Sequence, residues 1–260
     1  MNYRTIELEI EAGVAVLSLN RPDRRNAMSD EMAAEFASAL EWVSGSDARA
    51  LVLTGSGQAF CAGGDLQGFQ QWAGMAPPKV EAGLCEFYGS FLRILDLSIP
   101  TVAAVNGAAV GAGACLAAAC DLRLASEEAS IGFTFVKLGI NPGMGAEYLL
   151  HRLVGPARAV ELLITGDLLP AAEAHRMGLF TQVVPGEALM EAALKTARRL
   201  ARLDSSICRV VKQNAAAAAS EPIDRILAQE AKNQAPIFTD PVFQAKVKEM
   251  IEKLGVGDPA

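Results

Sequence analysis

Two glycine-rich turns are the segments of this chain best suited to chemistry, because each follows a run of residues typical of a buried strand. The first runs from Cys61 to Asp65 and the second from Gly107 to Gly113. Glycine lets the backbone approach a ligand closely, and the free N–H groups at a helix start form a positive end. Two such N–H groups directed at one carbonyl oxygen would form an oxyanion hole that stabilises an enolate. Two tight helix-packing turns would explain the same spacing equally well.

Other familiar catalytic motifs are missing from the sequence. The dipeptide Gly-Lys never occurs, which excludes a phosphate-binding P-loop, and neither a GxSxG elbow nor an HExxH zinc motif is found. The five cysteines lack the spacing of a disulfide framework or a zinc knuckle. The two histidines, His151 and His175, are interpreted as exposed or capping residues. We therefore expect no metal and no separate cofactor.

Length and composition indicate a globular protein with a large core. The chain has 260 residues, of which 51% are hydrophobic and 20% charged, and its formal net charge is −7. This acidic balance argues against a nucleic-acid or anionic-membrane surface. The first residues lack the pattern of a secretory signal, and the most apolar segment, residues 101–120, is too interrupted for a membrane span. We expect a soluble, cytoplasmic protein.

The hydrophobic pattern predicts strands that alternate with helices over the first two-thirds of the chain. It indicates a hairpin at residues 5–19, a helix after Ser29, a strand at 49–54, and a strand–turn–helix–strand unit at 101–125. Residues 66–80 are interpreted as a mobile loop, and the last third of the chain as helical. This order favours an α/β architecture in which both glycine-rich turns lie at strand ends.

The chain resembles the enoyl-CoA hydratase/isomerase (crotonase) superfamily over about residues 5–254. The matching segments follow the order and spacing of that family: LNRP at 19–22, RNA at 25–27, FCAGGDL at 60–66, IPTVAAVNG at 99–107, CDLR at 120–123 and LGINPG at 138–143. The resemblance implies a crotonase-like spiral of ββα units with a helical C-terminal trimerisation region. It divides the chain into a core at 1–195, with the CoA and acyl pocket, and a helical region at 196–260. It also implies coenzyme A thioester substrates and a homotrimer or a dimer of trimers.

Residue-by-residue matching assigns candidate roles. Gly64 and Ala112 fall where the family places its two oxyanion-hole N–H groups, and the alanine is no obstacle because the backbone makes that contact. Arg24, Arg25 and Ala27 match the loop that contacts the nucleotide part of CoA. The other residues expected to contact substrate are Ala62, Cys115, Phe133, Phe135, Lys248 and Lys253. The two lysines would reach phosphates, although a solvated helix face explains them equally well.

The acids that the family's hydratases use are absent from the matched positions. Those hydratases activate water and deliver a proton with two glutamates, whereas this chain has Cys115 and Phe135 there. A thiol with an unperturbed pKa of about 8.5 is a poor substitute, and phenylalanine is none. Asp65 is expected to start the following helix rather than act as an acid. Two-glutamate hydration is therefore disfavoured.

The segments at 111–114 and 135–139 most resemble the phenylacetate-pathway isomerases that act on ring-epoxide phenylacetyl-CoA. Those enzymes use an aspartate just after the proline of the Leu-Gly loop, where this chain has Gly143. The nearest remaining carboxylate is Glu147, which we expect in the first turn of a helix that follows a tight turn at 141–145, buried beside Phe133 and Phe135. It would act either as the catalytic base or as a partner of the helix dipole.

Enoyl-CoA isomerase-type chemistry is favoured, because a site short of acids can still move one proton with one base. Two alternatives stay open at this point. One is an enoyl-CoA hydratase with a non-standard acid or base, and the other is a non-catalytic acyl-CoA-binding protein that keeps the oxyanion hole.

Overall fold

A computed structural model of the protein describes residues 3–72, 74–217, 223–239, 241–243, 245 and 247. The chain divides into two compact units, residues 1–205 and 206–260. The division at 195/196 made from the sequence concerns function and stays a prediction. Within the described ranges, we find no helix with both the length and the apolar character that crossing a lipid bilayer requires.

Strands and helices alternate along the first unit, as the hydrophobic pattern predicts. The strands are β1 (Ile6–Glu11), β2 (Val14–Leu19), β3 (Ala50–Gly55), β4 (Ala59–Cys61), β5 (Thr101–Val105), β6 (Ala108–Val110), β7 (Leu122–Ser126), β8 (Ser130–Gly132), β9 (Leu169–Pro170) and β10 (Gln182–Val184). The helices of this unit are α1 (Asp30–Gly45), α2 (Leu66–Trp72), α3 (Pro77–Leu92), α4 (Ala112–Ala119), α5 (Ala146–Thr165), α6 (Ala171–Arg176) and α7 (Leu189–Ala201). The described part of the second unit contains α8 (Ser205–Ala217), which begins at the unit boundary, and α9 (Ile223–Gln234).

Two sheets organise the first unit. A six-stranded sheet has the order β1-β2-β3-β5-β7-β10, and its strands are parallel except for the predicted β1–β2 hairpin. A four-stranded sheet has the order β4-β6-β8-β9 and is parallel except for β8–β9. Because β4, β6 and β8 each follow a strand of the larger sheet and precede a helix, the chain repeats ββα units. This confirms the predicted architecture.

Helix α1 shows how the sequence fixes one of these units. The Ser29 hydroxyl accepts the Met32 N–H at 3.2 Å, which caps the helix start. Residues at helical spacing, Met32, Phe36 and Leu40, are buried on one face. Phe36 packs against Phe91 of α3 with ring centroids 5.2 Å apart. The helix predicted after Ser29 is confirmed.

Helix α7 covers the opposite face of the larger sheet. Its alanines, Ala193 and Ala197, are fully buried in an apolar cluster with Val52 of β3 and Val102 of β5. Small side chains let the helix lie close to the strands, and strands buried on both faces explain the continuous apolar runs in the sequence.

The prediction of a mobile loop at 66–80 was wrong. Helix α2 occupies Leu66–Trp72, and α3 begins at Pro77. The prolines that suggested a loop lie in the first turn of α3, where their missing N–H groups cost no hydrogen bond.

Candidate active site

The two glycine-rich turns lie against each other at one edge of the smaller sheet. The segment predicted as the second turn contains the short strand β6, so the turn itself is confined to the residues between Val110 and the start of α4. Because β4 and β6 pair in parallel, the two turns that follow them leave the sheet at the same edge. A Cβ atom added to Gly63 would lie 2.7 Å from the carbonyl oxygen of Val110 and 3.5 Å from the amide nitrogen of Ala112. Gly63 also has a φ of +92°, which favours glycine. Gly63 therefore lets the first turn pass directly beside Ala112.

The backbone N–H of Ala112 is not used by the hydrogen bonds of its helix, and that of Gly64 is not used by the strand bridge in which it takes part. Ala112 is the first residue of α4, so its N–H has no acceptor within the helix. Met28 forms a parallel bridge with Gly64. In that bridge Met28 N–H donates to Gly63 O and Asp65 N–H donates to Met28 O, both at 2.8 Å, so the Gly64 N–H points away from Met28. Their assignment as oxyanion-hole donors stays a prediction, for which this geometry is suitable.

The loop predicted to contact the nucleotide runs along the first glycine-rich turn. The N–H of Ala62 donates to the carbonyl oxygen of Arg25 at 2.9 Å. The side chains of Arg24 and Arg25 are exposed, and Arg24 lies 3.7 Å from the Asp23 carboxylate. The structure therefore brings Arg24, Arg25, Ala27 and Ala62 close to Gly64.

Asp65 has the structural role predicted for it. Its Oδ1 accepts the Gln67 N–H at 3.1 Å, at the start of α2, and its Oδ2 lies 3.0 Å from Nη1 of Arg21. The same Nη1 donates to Ala27 O at 2.6 Å. The buried Asn26 secures this loop further, since its amide donates to the carbonyl oxygen of Ala59 at 2.8 Å. One oxygen of Asp65 thus begins α2, and the other ties the first glycine-rich turn to the loop at 21–27.

Cys115 lies on α4, and its side chain is fully buried. Its thiol donates a weak hydrogen bond to Gly143 O, with Sγ and O 3.7 Å apart. Burial, and then the negative charge of Glu147, raises the pKa of the Cys115 thiol far above its ordinary range. Burial also raises the pKa of Cys61, on β4, to about 12. Both thiols are neutral at physiological pH and are unsuited to act as bases.

Phe133 and Phe135 are buried at the start of a 3-10 turn. The tight turn predicted before α5 is present, since Ala146 N–H donates to Gly143 O at 3.1 Å. Glu147, in the first turn of α5, is exposed, so the expectation that it is buried beside the two rings was wrong. The physical reason is the phase of the helix: Ala146 occupies the buried side of that turn, and Glu147 the open side.

Tyr88 is a residue of this region that sequence reasoning missed. A Cβ atom added to Gly143 would lie 3.0 Å from Cζ of Tyr88 and closer still to its hydroxyl. Tyr88 lies on α3 and is half-buried; burial, and then the nearby Cys115 and Cys85, raises the pKa of its phenol. Nothing in the sequence pairs positions 88 and 143, and the one available signal was that Gly143 leaves space where an acid was expected.

Comparisons with known proteins give the chain its family. The sequence profile of the enoyl-CoA hydratase/isomerase family matches residues 9–256. The chain belongs to this family. It is 39% identical over 254 residues to a protein named a probable enoyl-CoA hydratase from Rhodobacter capsulatus, with 97% of each chain covered. It is 39% identical over 217 residues to the 1,2-epoxyphenylacetyl-CoA isomerase of Escherichia coli K12, with 83% of each chain covered.

A solved structure supports the same assignment. The crystal structure of enoyl-CoA hydratase from Bacillus anthracis superposes with a TM-score of 0.88 at 32% identity, covering 96% of this chain and 97% of that one. The predicted family and fold are thus confirmed. The chain is an enzyme of the enoyl-CoA hydratase/isomerase family, which removes the alternative of a non-catalytic binder.

The roles assigned to the remaining candidate residues stay predictions. Lys248 and Lys253 lie outside the described residues. His151 is exposed on α5, and Nδ1 of His175 lies 2.8 Å from Phe180 O at the end of α6. The structure brings neither histidine to the glycine-rich turns through any contact among the described residues.

Proposed function

We propose that this family member shifts a carbon–carbon double bond of an acyl-CoA through a thioester enolate. The observation that carries the proposal is the close approach of Gly63 to Ala112, since a Cβ atom added to Gly63 would lie 3.5 Å from the Ala112 amide nitrogen. Preorganised amides aimed at a developing oxyanion stabilise it without reorganisation. The isomerase name of one relative, and the lack of a carboxylate at positions 115 and 135, favour isomerisation over hydration.

The proposed substrate is a coenzyme A thioester, and the reaction requires no further cofactor. The exposed Arg24 and Arg25 run beside the proposed oxyanion hole, where they could pair with phosphates. We expect calorimetry to show much tighter binding of an acyl-CoA than of the corresponding free acid. Equal binding of the two would contradict the assignment. The homotrimer and the cytoplasmic location inferred from the sequence stay predictions.

The proposed base is Glu147. Its charge acts on the buried Cys115, which places this carboxylate within electrostatic reach of Gly143 and Cys115. In the proposed reaction, the C2–H bond of a 3-enoyl-CoA breaks, the proton goes to Glu147, and the electron pair enters a dienolate. The dienolate oxygen accepts hydrogen bonds from the Gly64 and Ala112 amides. A new C4–H bond then completes the shift to a conjugated 2-enoyl-CoA.

One experiment tests this reaction. The protein is incubated with 3-hexenoyl-CoA in deuterated water, and the products are followed by mass spectrometry and by the absorbance of the conjugated thioester. We expect deuterium at C2 and conversion to the 2-enoyl isomer. No exchange and no conversion, with the thioester bound, would overturn the proposal.

Hydration is the second candidate, because two of the compared proteins are named hydratases. A parallel incubation with 2-hexenoyl-CoA in deuterated water separates the two reactions. A hydratase adds the elements of water to the 2-enoyl-CoA, so its product gains the mass of one deuterated water. An isomerase changes the position of the double bond without that addition.

A further inference from the structure

We propose that Tyr88 supplies the acid of this site, and that its hydroxyl delivers the proton to C4 of the dienolate. The inference rests on the proposed enolate function and adds a residue to it. Three observations carry it: the fit of Tyr88 to Gly143, the open hydroxyl, and its protonated state.

The first observation is that Tyr88 and a side chain at position 143 exclude each other. Gly143 has an ordinary backbone conformation, so nothing in its own dihedral angles requires glycine. What a Cβ atom would meet is the ring carbon Cζ of Tyr88 at 3.0 Å and, closer, the hydroxyl. The phenol oxygen therefore occupies the space into which an acid at position 143 would extend.

The second observation is that this hydroxyl is available. The described residues provide no hydrogen-bond partner for the Tyr88 oxygen, although its ring packs edge-on against Phe87 with centroids 6.3 Å apart. In the same part of the chain, every fully buried side-chain oxygen or nitrogen has a hydrogen-bond partner. An unpaired oxygen on a half-buried residue must therefore reach solvent-accessible space. That space is where a ligand atom could accept its hydrogen bond.

The third observation concerns charge. Burial and the neighbouring thiols raise the pKa of Tyr88 above its ordinary value of 10.0, so the phenol is protonated at physiological pH. A neutral phenol donates a proton and does not begin as a base. The buried thiol of Cys115 is also neutral, but its hydrogen bond to Gly143 O is already made. Tyr88 is left as the free donor, and Glu147 as the base.

Glu147 and Tyr88 together account for every proton transfer in the proposed reaction. Glu147 takes the C2 proton, and the electron pair of the dienolate forms the C4–H bond with the Tyr88 proton. The O–H bond of Tyr88 breaks and leaves a phenolate. The phenolate then regains a proton from the protonated Glu147, directly or through water. A dienolate carbon is far more basic than a phenolate, so the transfer to C4 runs downhill.

The test separates the two proton transfers in the full-length protein. Tyr88→Phe keeps the ring and removes the hydroxyl, and Tyr3→Phe is the matched control because it removes a phenol hydroxyl that lies 3.5 Å from Ser38 of α1. With 3-hexenoyl-CoA in deuterated water, we expect Tyr88→Phe to lower conversion to the 2-enoyl isomer by about 10²–10³-fold in kcat. We expect C2 exchange and KM to stay within a few-fold of the unmodified protein.

A second set of variants tests the same idea through Gly143. Gly143→Ala should displace the Tyr88 hydroxyl and reproduce the isomerisation defect, whereas Gly45→Ala, where a Cβ meets nothing within 4 Å, should not. The double variant Tyr88→Ala with Gly143→Asp puts a carboxylic acid in the vacated space. It should isomerise at least tenfold faster than Tyr88→Ala alone, by analogy with the gain from one placed acid (about 10²-fold or more). Circular dichroism and thermal melts confirm that each variant is folded.

The outcomes are distinguishable. Full isomerisation by Tyr88→Phe overturns the role of Tyr88 and leaves the enolate function standing. Loss of C2 exchange together with conversion in Tyr88→Phe also overturns the donor role, because the residue would then act on enolate formation. Absence of exchange and conversion in the unmodified protein overturns the proposed function, and this inference with it.

Discussion

The oxyanion hole proposed for the site consists of backbone groups, whereas the proposed acid and base are side chains. Gly64 and Ala112 are placed by strand pairing and by the bridge to Met28, whatever their side chains are. The proposed acid and base depend on the side chains of Tyr88 and Glu147, and on the space beside Gly143. We call Gly64 and Ala112 the backbone side of the site, and Tyr88, Glu147 and the space at Gly143 its side-chain side.

The difference shows which parts of the site are determined by the backbone fold and which depend on the identity of side chains. Substituting a side chain at Gly64 or Ala112 leaves the amide in place unless the new group distorts the turn. Substitution at 88, 115, 135 or 147 changes the available acids and bases while the strands and helices persist. Family membership therefore predicts the backbone side well, and the reaction itself depends on the side-chain side.

The largest expected effect is on hydration. The enzyme should hydrate crotonyl-CoA slower by about 10²–10⁴-fold than a family hydratase with two glutamates, because each positioned acid or base contributes on that order. The measurement is kcat by loss of the conjugated absorbance, with both proteins assayed side by side. Equal turnover would show that the side-chain side holds an acid and a base that we have not identified.

The backbone side should be broken by a single substitution at Gly63. Gly63→Val combines a left-handed φ of +92° with a Cβ only 2.7 Å from Val110 O, so the turn must move away from Ala112. We expect kcat for isomerisation to fall by about 10²–10³-fold, the usual effect of losing an oxyanion donor. Gly68→Ala is the control, since a Cβ there meets nothing within 4 Å. Unchanged activity in a folded Gly63→Val protein would refute the oxyanion assignment.

The base can be tested with Glu147→Gln. Replacing the carboxylate by an amide removes a proton acceptor of nearly the same shape, so C2 exchange should fall by about 10²-fold, and acyl-CoA affinity should stay within a few-fold. Glu161→Gln, on the exposed C-terminal part of α5 beside Arg158, is the control. Surviving exchange would leave Glu147 as a helix-start residue that complements the dipole.

The elements next to the backbone side could be predicted because their causes are local. Ser29 caps α1, the β-branched runs form the hairpin, and buried strands at β3 and β5 precede the two glycine-rich segments. The three-residue strands β4 and β6 were not predicted, because such short strands are defined by their pairing with each other. A motif of neighbouring residues, such as Cys61 to Asp65, carries its own geometry in its glycines and in its capping aspartate.

The side-chain side could not be predicted in the same way, because its geometry depends on tertiary packing. Tyr88 meets Gly143 only after α3 packs beside the turn that leads into α5. The exposure of Glu147 depends on which face of α5 packs inward, and Ala146, Leu149 and Leu150 occupy that face. Such details need the packed structure.

A smaller effect is expected at Cys115. Its thiol is neutral because burial raises its pKa, so Cys115→Ala should change kcat for isomerisation by no more than a few-fold. Cys120→Ala, which removes another buried thiol at the end of α4, is the matched control for lost packing. A fall of about 10²-fold or more in Cys115→Ala alone, with KM unchanged, would make the thiol part of the chemistry.

The smallest effect concerns stability, and it lies away from both sides of the site. Glu35 of α1 accepts the Arg4 N–H at 2.9 Å and the Thr5 N–H at 2.8 Å, together with the Thr5 hydroxyl. Burial alone would raise its pKa, but these hydrogen bonds outweigh burial and hold the pKa below the ordinary 4.5. Its stabilising contribution is therefore complete above that value and disappears as the pH falls through the lower pKa of the folded state.

Glu35→Gln should accordingly lower the free energy of unfolding by about 1 kcal/mol at neutral pH, and the difference from the unmodified protein should shrink as the solution becomes more acidic than the ordinary pKa of 4.5. Urea melts over a pH series measure this, with the exposed Glu41→Gln on the same helix as the control. Isomerisation by Glu35→Gln should be unchanged at neutral pH, which would show that a modest loss of stability does not imitate the defects expected at Gly63 or Tyr88. A pH-independent difference would mean that the side chain acts through packing and not through its charge.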